Sequence, residues 1–251
     1  MSAKPTFTAV MPVYNGEKHI IETLGSVLTQ TYPPAQIIVV DDESLDNAGK
    51  IVRSYGGRVL LVHQKNGGQS AARNHGVSLA TTDWIAFVDQ DDVWLPNHLE
   101  EMAQAIQRRT DADLCYSGRR ELVHDQGGGE PHLSEPVKLP GEDALASVMI
   151  DRCPFQPSST AVRRSTLLRV GGWNSAFDSV EDWDLWLRLL GEGSRAVYTG
   201  KVTMHYRIHP GAATNQPVRV LEKSIHLVRE RIAPLLPVSK RAAHCLSLIH
   251  I

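Results

Sequence analysis

The chain has 251 residues, 42% apolar and 22% charged, which is an ordinary globular composition. That length can bury a core without disulfide or metal staples. Lysine plus arginine number 26 and aspartate plus glutamate 28, so the net charge of −2 argues against a general nucleic-acid binder.

Strands and helices alternate along the first half. Phe7–Val13 reads as a strand, and Glu17–Gln30 carries Ile20, Ile21, Leu24, Val27 and Leu28 at helical spacing. Pro33-Pro34 is expected to end that helix. Ile37–Val40 is a short β-branched strand, and Asp46–Tyr55 a helix with Ser44 or Asp46 as its cap. Val59–His63 is a third strand, and Gly67-Gly68 turns into an alanine-rich helix over Ser70–Leu79. Trp84–Val88 is a fourth strand, Pro96 opens a helix to about Thr110, and Leu114–Ser117 is a fifth strand. This spacing predicts βαβ units and a mainly parallel sheet. Such sheets bind ligands beyond the carboxyl ends of the strands, where the strand order switches. That rule points to residues 12–16, 41–46, 63–70 and 89–95.

After Gly118 the pattern becomes irregular. Asp125–Pro140, with Gly127-Gly128-Gly129, reads as an exposed loop, and Glu142–Asp151 as a helix. Ser159–Val162 is a short strand, and Ser165–Val170 a short helix ended by Gly171-Gly172. Asp182–Leu190 is a helix with Trp183, Trp186, Leu187 and Leu190 on one face. Val197–Tyr198 and Val202–Ile208 are strands, and Val218–Ile232 is a final helix. One compact domain fits better than two. No apolar run approaches the roughly 20 residues that span a bilayer. No secretory signal pattern is present, so a cytoplasmic location is expected. Cys115, Cys153 and Cys245 form no CxxC pair and no zinc spacing, and read as thiols of a reducing compartment.

Five constellations could carry chemistry. Asp89-Gln90-Asp91-Asp92 follows a strand and packs three carboxylates into four residues. Their repulsion calls for a cation, and Mg²⁺ or Mn²⁺ takes one or two carboxylates plus waters and substrate phosphates. The plainer reading is a turn with Asp92 as a helix cap. Asp41-Asp42-Glu43-Ser44 ends another strand at the same sheet edge, where a carboxylate can bond a ribose or a base; a turn and cap is the plainer alternative. Asn66-Gly67-Gly68-Gln69-Ser70 opens a helix whose N–H groups can face an anion, with Arg73 one turn on. Glu181 and Asp182 sit at a helix start, as a general base or as residues favoured there by the helix dipole, with Ser179 and Asp182 approximating a capping box. Trp183 and Trp186 read better as core than as stacking platforms. His205, Arg207 and His209 share one strand face, where an imidazole could complete a metal shell.

In this order the motifs resemble the family 2 glycosyltransferases. They are Met11-Pro12-Val13-Tyr14-Asn15, Val40-Asp41-Asp42-Glu43-Ser44, Gln69-Ser70-Ala71-Ala72-Arg73-Asn74, Phe87-Val88-Asp89-Gln90-Asp91-Asp92-Val93-Trp94 and Glu181-Asp182-Trp183-Asp184-Leu185-Trp186. Tyr206-Arg207 with His209 adds to the likeness, which runs from Pro5 to His209. The resemblance implies an α/β chain with the GT-A fold: one Rossmann-like domain, a mainly parallel central sheet flanked by helices, and a smaller acceptor-side subregion. Residues 1–215 would form that domain, with 5–118 as the nucleotide-sugar half and 119–215 as the acceptor half, and 216–251 would be a C-terminal helix and tail.

The resemblance also implies roles. Pro12, Tyr14 and Asn15 would lie near the donor nucleotide, Asp42 on its base and Asp41 toward the ribose, with Arg73 lining the pocket. Gln69, Gln90, Glu181 and Trp183 join the substrate-binding set. Asp89 and Asp91 would be the DXD pair holding a divalent cation, Mn²⁺ or Mg²⁺, with His209 as a late metal or diphosphate contact. Asp182 would be the catalytic base of an inverting transfer from a nucleoside-diphosphate sugar to a glycan or lipid-linked acceptor. Glu43 replaces the small residue common after the paired aspartates, and residues 118–156 match nothing in the family pattern.

Two rivals stand beside this reading. One is a non-catalytic nucleotide-sugar binder. The other is a haloacid-dehalogenase-type phosphatase using Asp89 as nucleophile, though that motif normally follows the first strand. Peripheral contact at the inner membrane face would suit a lipid-linked acceptor, with Lys223, Arg229, Arg231, Lys240 and Arg241 as a weakly basic surface; a solvated helix face is the preferred reading. Residues from about Cys245 to Ile251 resemble translated sequencing-adapter read-through, so the natural chain is expected to continue differently there.

Overall fold

The computed structural model describes residues 4–123, 131–209 and 217–235. The elements run β1 (Phe7–Val13), α1 (Ile20–Leu28), β2 (Gln36–Asp41), α2 (Ala48–Arg53), β3 (Leu60–His63), α3 (Gly68–Leu79), β4 (Trp84–Phe87), β5 (Val93–Trp94) and α4 (His98–Arg108). They continue as β6 (Leu114–Val123), β7 (His132–Leu133), α5 (Glu142–Asp151), β8 (Thr160–Arg163), α6 (Arg164–Arg169), α7 (Glu181–Gly191), β9 (Ala196–Ile208) and α8 (Pro217–Leu227).

The sheet order is β3-β2-β1-β4-β8-β6-β9-β5, with β7 on β6. The strands from β3 to β4 are parallel. β8 then enters antiparallel between β4 and β6, whereas β6 and β9 are parallel. Side chains of the parallel strands alternate between two cores. Val10, Ile38, Val40, Ile85 and Phe87 join α3, α5 and α7 on one face. Phe7, Ala9, Met11, Val13, Ile37, Val39 and Ala86 join α1, α2 and α4 on the other. Period-two strands covered on both faces explain the near-continuous apolar runs.

At β1 the chain order reverses, which places a ligand crevice between the ends of β1 and β4. Pro12 helps to open it. A proline cannot donate to a neighbouring strand, and β1–β4 pairing stops at Val10 opposite Phe87.

Several local expectations change. Pro33-Pro34 does not end α1, which stops at Leu28. Gln30 takes over there, its amide donating to the carbonyls of Ser26 and Leu95. Asp46 serves the α2 start through Ala48 N at 2.9 Å, while Ser44 accepts from Asn15 N instead. The capping box at α7 does not form, because Ser179 is left-handed (φ 74°) and Val180 is the cap. The two strands expected after residue 196 are one strand, β9, irregular at its pairing with Gly118. Residues 124–130 of the expected exposed loop lie outside the described residues; beyond them β7 pairs with β6.

The C-terminal helix packs onto the α7 core. Leu227, Val228 and Ile232 are buried with Trp183, Leu185 and Trp186. Its cations are mostly paired: Arg219 and Lys223 with Asp178, and Arg231 with Asp184. That favours the plainer reading of this helix over a membrane surface. Lys240, Arg241 and the suspect tail lie outside the described residues. Among the described residues no helix is long and apolar enough to cross a membrane.

Gly76 shows how tightly α3 rides on the sheet. A Cβ there would sit 2.5 Å from Val10 Cγ1 and 3.4 Å from Val40 Cγ2. Alanine gains about 1 kcal/mol in helix propensity, but overpacking a core costs about 1–3 kcal/mol. Gly76→Ala should therefore lower the urea midpoint, and an unchanged or raised midpoint would refute this account of the packing.

Candidate active site

Loops at the carboxyl edge of the sheet are tied by side chains bonding to backbone. Leu45 N donates to Asn15 Oδ1 at 2.8 Å, and Asn15 N to Ser44 Oγ at 3.0 Å. Asn15 holds φ 52°, a conformation asparagine tolerates better than most residues. The Gln90 amide pairs both ways with the Tyr14 backbone, accepting from its N at 2.9 Å and donating to its carbonyl at 3.1 Å. Gln90 is thus a brace between the β1 and β4 loops, and the Tyr14 ring stays exposed.

The glycine turn before α3 does face an anion, but it is the protein's own. Gly67 N and Gly68 N donate to the two oxygens of Asp42 at 2.9 and 2.8 Å, and Gln64 Nε2 donates to Oδ1 at 2.8 Å. Asp41 accepts from Ser44 N at 3.0 Å and stands 3.0 Å from His63 Nδ1. Both carboxylates are therefore committed to shaping the edge.

Arg73 is the centre of the site. It is 1% exposed, yet it reaches three acceptors. Its guanidinium donates to Asp89 Oδ1 at 2.7 Å, to Gln69 Oε1 at 2.9 Å and to Glu181 Oε1 at 3.0 Å. Its cationic carbon lies 4.5 Å from the Trp173 ring centroid, in cation–π range. Burial opposes the charge, but Asp89 and Glu181 outweigh it and hold the guanidinium above its ordinary range. One buried cation thus joins the loop after β4 to the start of α7.

Asp182 stands next along α7. Burial pushes its carboxyl up to about 7, and neighbouring Glu181 adds to the rise. Oδ1 accepts from Trp183 N at 2.7 Å, and the Cys153 thiol lies 3.7 Å from Oδ2. Trp183 points into the core, its indole donating to Met149 O at 2.7 Å, as the core reading expected. Asp184 is fully buried against Arg188 and Arg231.

At the other side of the acidic loop, His209 Nε2 lies 3.0 Å from Asp91 Oδ2. Arg207 N donates to Asp92 Oδ1 at 2.9 Å, and its Nη2 to Glu22 at 2.6 Å. Burial, then Asp91 and Asp89, push the Asp92 carboxyl well above the usual carboxylate range. Asp89 N donates to Ser158 Oγ at 2.9 Å. Among the described residues no three His, Cys, Asp or Glu side chains converge as a metal cage. The structure brings Asp91 and His209 together and turns Asp89 toward Arg73.

A family model of glycosyl transferase family 2 matches residues 8–169, more than half the chain. The chain belongs to that family.

Its relatives agree. The putative glycosyltransferase EpsE of Bacillus subtilis is 30% identical over 203 residues, 78% of this chain and 70% of that protein. An uncharacterized glycosyltransferase of Rickettsia felis is 28% identical over 189 residues, which cover 74% of this chain but only 31% of the relative. Residues 1–349 of S. aureus TarS in complex with UDP-GlcNAc superpose with TM-score 0.70 at 21% identity, covering 97% of this chain and 71% of that one. Mannosyltransferase PcManGT from Pyrobaculum calidifontis, in complex with GDP-Man and Mn²⁺, gives 0.67 at 19% identity, covering 92% and 65%. These likenesses show the GT-A fold.

In this family 2 chain side-chain bonds link Tyr14 to Gln90, Asn15 to Ser44 and Leu45, Asp42 to the start of α3, and Gln69 and Asp89 to Arg73. Sequence reasoning missed Cys153, Ser158 and Trp173, which touch Asp182, Asp89 and Arg73 across long chain separations. No local pattern marks any of them.

Proposed function

We propose that this chain transfers a sugar, with inversion, from a nucleoside-diphosphate donor to a hydroxyl of a glycan or lipid-linked acceptor. One observation carries the reading: Arg73 couples donor-side Asp89 to Glu181, next to a carboxyl whose affinity for protons is matched to neutral pH. A base titrating near 7 is suited to take a hydroxyl proton as the new bond forms. Asp182 receives that proton, and the acceptor oxygen attacks from the face opposite the leaving diphosphate. Tyr14, Asn15 and the braced edge loops orient the nucleoside.

Asp91 and His209 would hold the divalent cation, with diphosphate oxygens and waters completing its shell. The Asp91 carboxylate suits Mn²⁺ or Mg²⁺, the neighbouring imidazole favours Mn²⁺ over the harder Mg²⁺, and Mn²⁺ accompanies GDP-Man in PcManGT. When bound, the cation supplies Lewis-acid neutralisation of the leaving diphosphate.

Thermal melting with UDP or GDP and their sugars, each with Mn²⁺, Mg²⁺ or chelator, tests this. Saturation at a hundredfold Kd should add about 2.7 kcal/mol of stability. Asp91→Asn should keep a nucleotide shift and lose its metal-dependent increment. No shift with any nucleotide would sink the transferase reading.

A further inference from the structure

We propose that Arg119, Lys138 and Arg152 form a subsite for an oxyanion carried by the acceptor, a phosphate or a carboxylate close to the hydroxyl that is glycosylated. The proposal rests on the transferase reading with Asp182 as base. The three cations line one pocket of about 80 Å³ together with Val137, Cys153 and Pro154. One water's share of liquid is about 30 Å³, so the space suits a small oxyanion head. No carboxylate lines it.

The cations come from three separate elements. Arg119 is on β6, Lys138 on the segment held to it by Val137 N donating to Arg119 O at 3.0 Å, and Arg152 caps α5. Among the described residues none of the three makes an ion pair. Arg152 alone would be explained by the carbonyl end of its helix. Convergence with Arg119 is not. The Arg119 guanidinium donates to Pro154 O at 3.2 Å and lies over the Tyr206 ring, yet its Nε is buried with no hydrogen-bond partner. An orphaned buried donor among unpaired like charges calls for an anion.

Position assigns that anion to the acceptor. Cys153 forms part of the pocket wall, and its sulfur is 3.7 Å from Asp182 Oδ2. The pocket therefore adjoins the base. An acceptor anchored there by its charge would present a neighbouring hydroxyl to Asp182.

Isothermal titration tests the proposal with glycerol 3-phosphate, methyl glucuronide and uncharged glycerol. The full chain is saturated with Mn²⁺ and whichever of UDP or GDP gives the melting shift, and ionic strength is held constant. At least one anion should bind, glycerol should not, and which anion binds separates phosphate from carboxylate chemistry. Lys138→Ala/Arg152→Ala removes two exposed side chains outside the donor machinery. It should weaken anion binding at least about tenfold, since a bond to a charged group contributes about 1.5–3 kcal/mol. Equal affinity in the variant, no anion binding, or displacement of the bound nucleotide by the anion would each overturn the subsite. UDP and GDP binding are read separately in both proteins, and absence of both would overturn the transferase reading instead.

Discussion

Asp182→Asn should abolish most sugar transfer, by about 10²–10⁴-fold for loss of a general base, while the melting shift with UDP and Mn²⁺ stays near wild type. The pH profile supplies a second readout. With its carboxyl pushed up to about 7 by burial and Glu181, Asp182 is protonated below that pH and cannot take the hydroxyl proton the proposal assigns to it. The wild-type rate should rise through pH 6–7 and level off above. Stability runs the other way. The folded state binds this proton more tightly than the unfolded chain, whose value is near 3.8, so wild type loses stability as pH climbs from about 4 to about 7. Asn cannot ionise, so the variant should melt above wild type at pH 8 and lose that advantage near pH 4. Near-full transfer by the variant would remove Asp182 as base. A profile flat from pH 5 to 8 would remove the proposed proton affinity.

Arg73→Gln should cause the largest stability loss. It strands Asp89 and Glu181 as poorly solvated carboxylates, and breaking a buried pair costs about 3–5 kcal/mol. At about 2–4 °C per kcal/mol for a chain of this size, the melting temperature should fall by roughly 6–20 °C. Adding Glu181→Gln should restore part of that, because it neutralises one stranded charge. The activity limb should also move to higher pH, since the Arg73 charge lowers Asp182 against burial and Glu181. A loss below about 1 kcal/mol would show that solvent screens the bridge and that surface ion-pair magnitudes apply instead.

How much of this was legible follows from the range of the interactions. β1, β2, β4 and α3 are written in local runs: β-branched or aromatic stretches buried on both faces, then glycine or acidic turns. The edge motifs were legible for the same reason, since each loop is short and directly follows its strand. β5 was hidden because two residues inside the acidic motif become a strand only by pairing with Met204 and His205. β6 was read as stopping at Ser117, but its outer half exists through β9. The partners of the site residues were hidden in the same way. Asp42 and Gln90 also accept from backbone N–H groups of the sharply turned edge, a structural duty that no local pattern announces. The bridge from Arg73 to Glu181 spans 108 residues, beyond any periodicity.

The position of β8 has a consequence for how the chain is made. β1 to β4 are contiguous in sequence and can pair as they leave the ribosome, but β4 then carries a bare row of N–H and C=O groups until β8 covers it. Ser158, just ahead of β8, trails Asp89 by 69 residues. At about 5–20 residues per second, that edge stays open for roughly 3–14 s. An apolar, unpaired edge is a template for another chain. Nascent chains stalled before Thr160 should therefore be the aggregating species, and chaperone demand during synthesis should peak while residues 90–160 are being added and fall once β8 docks.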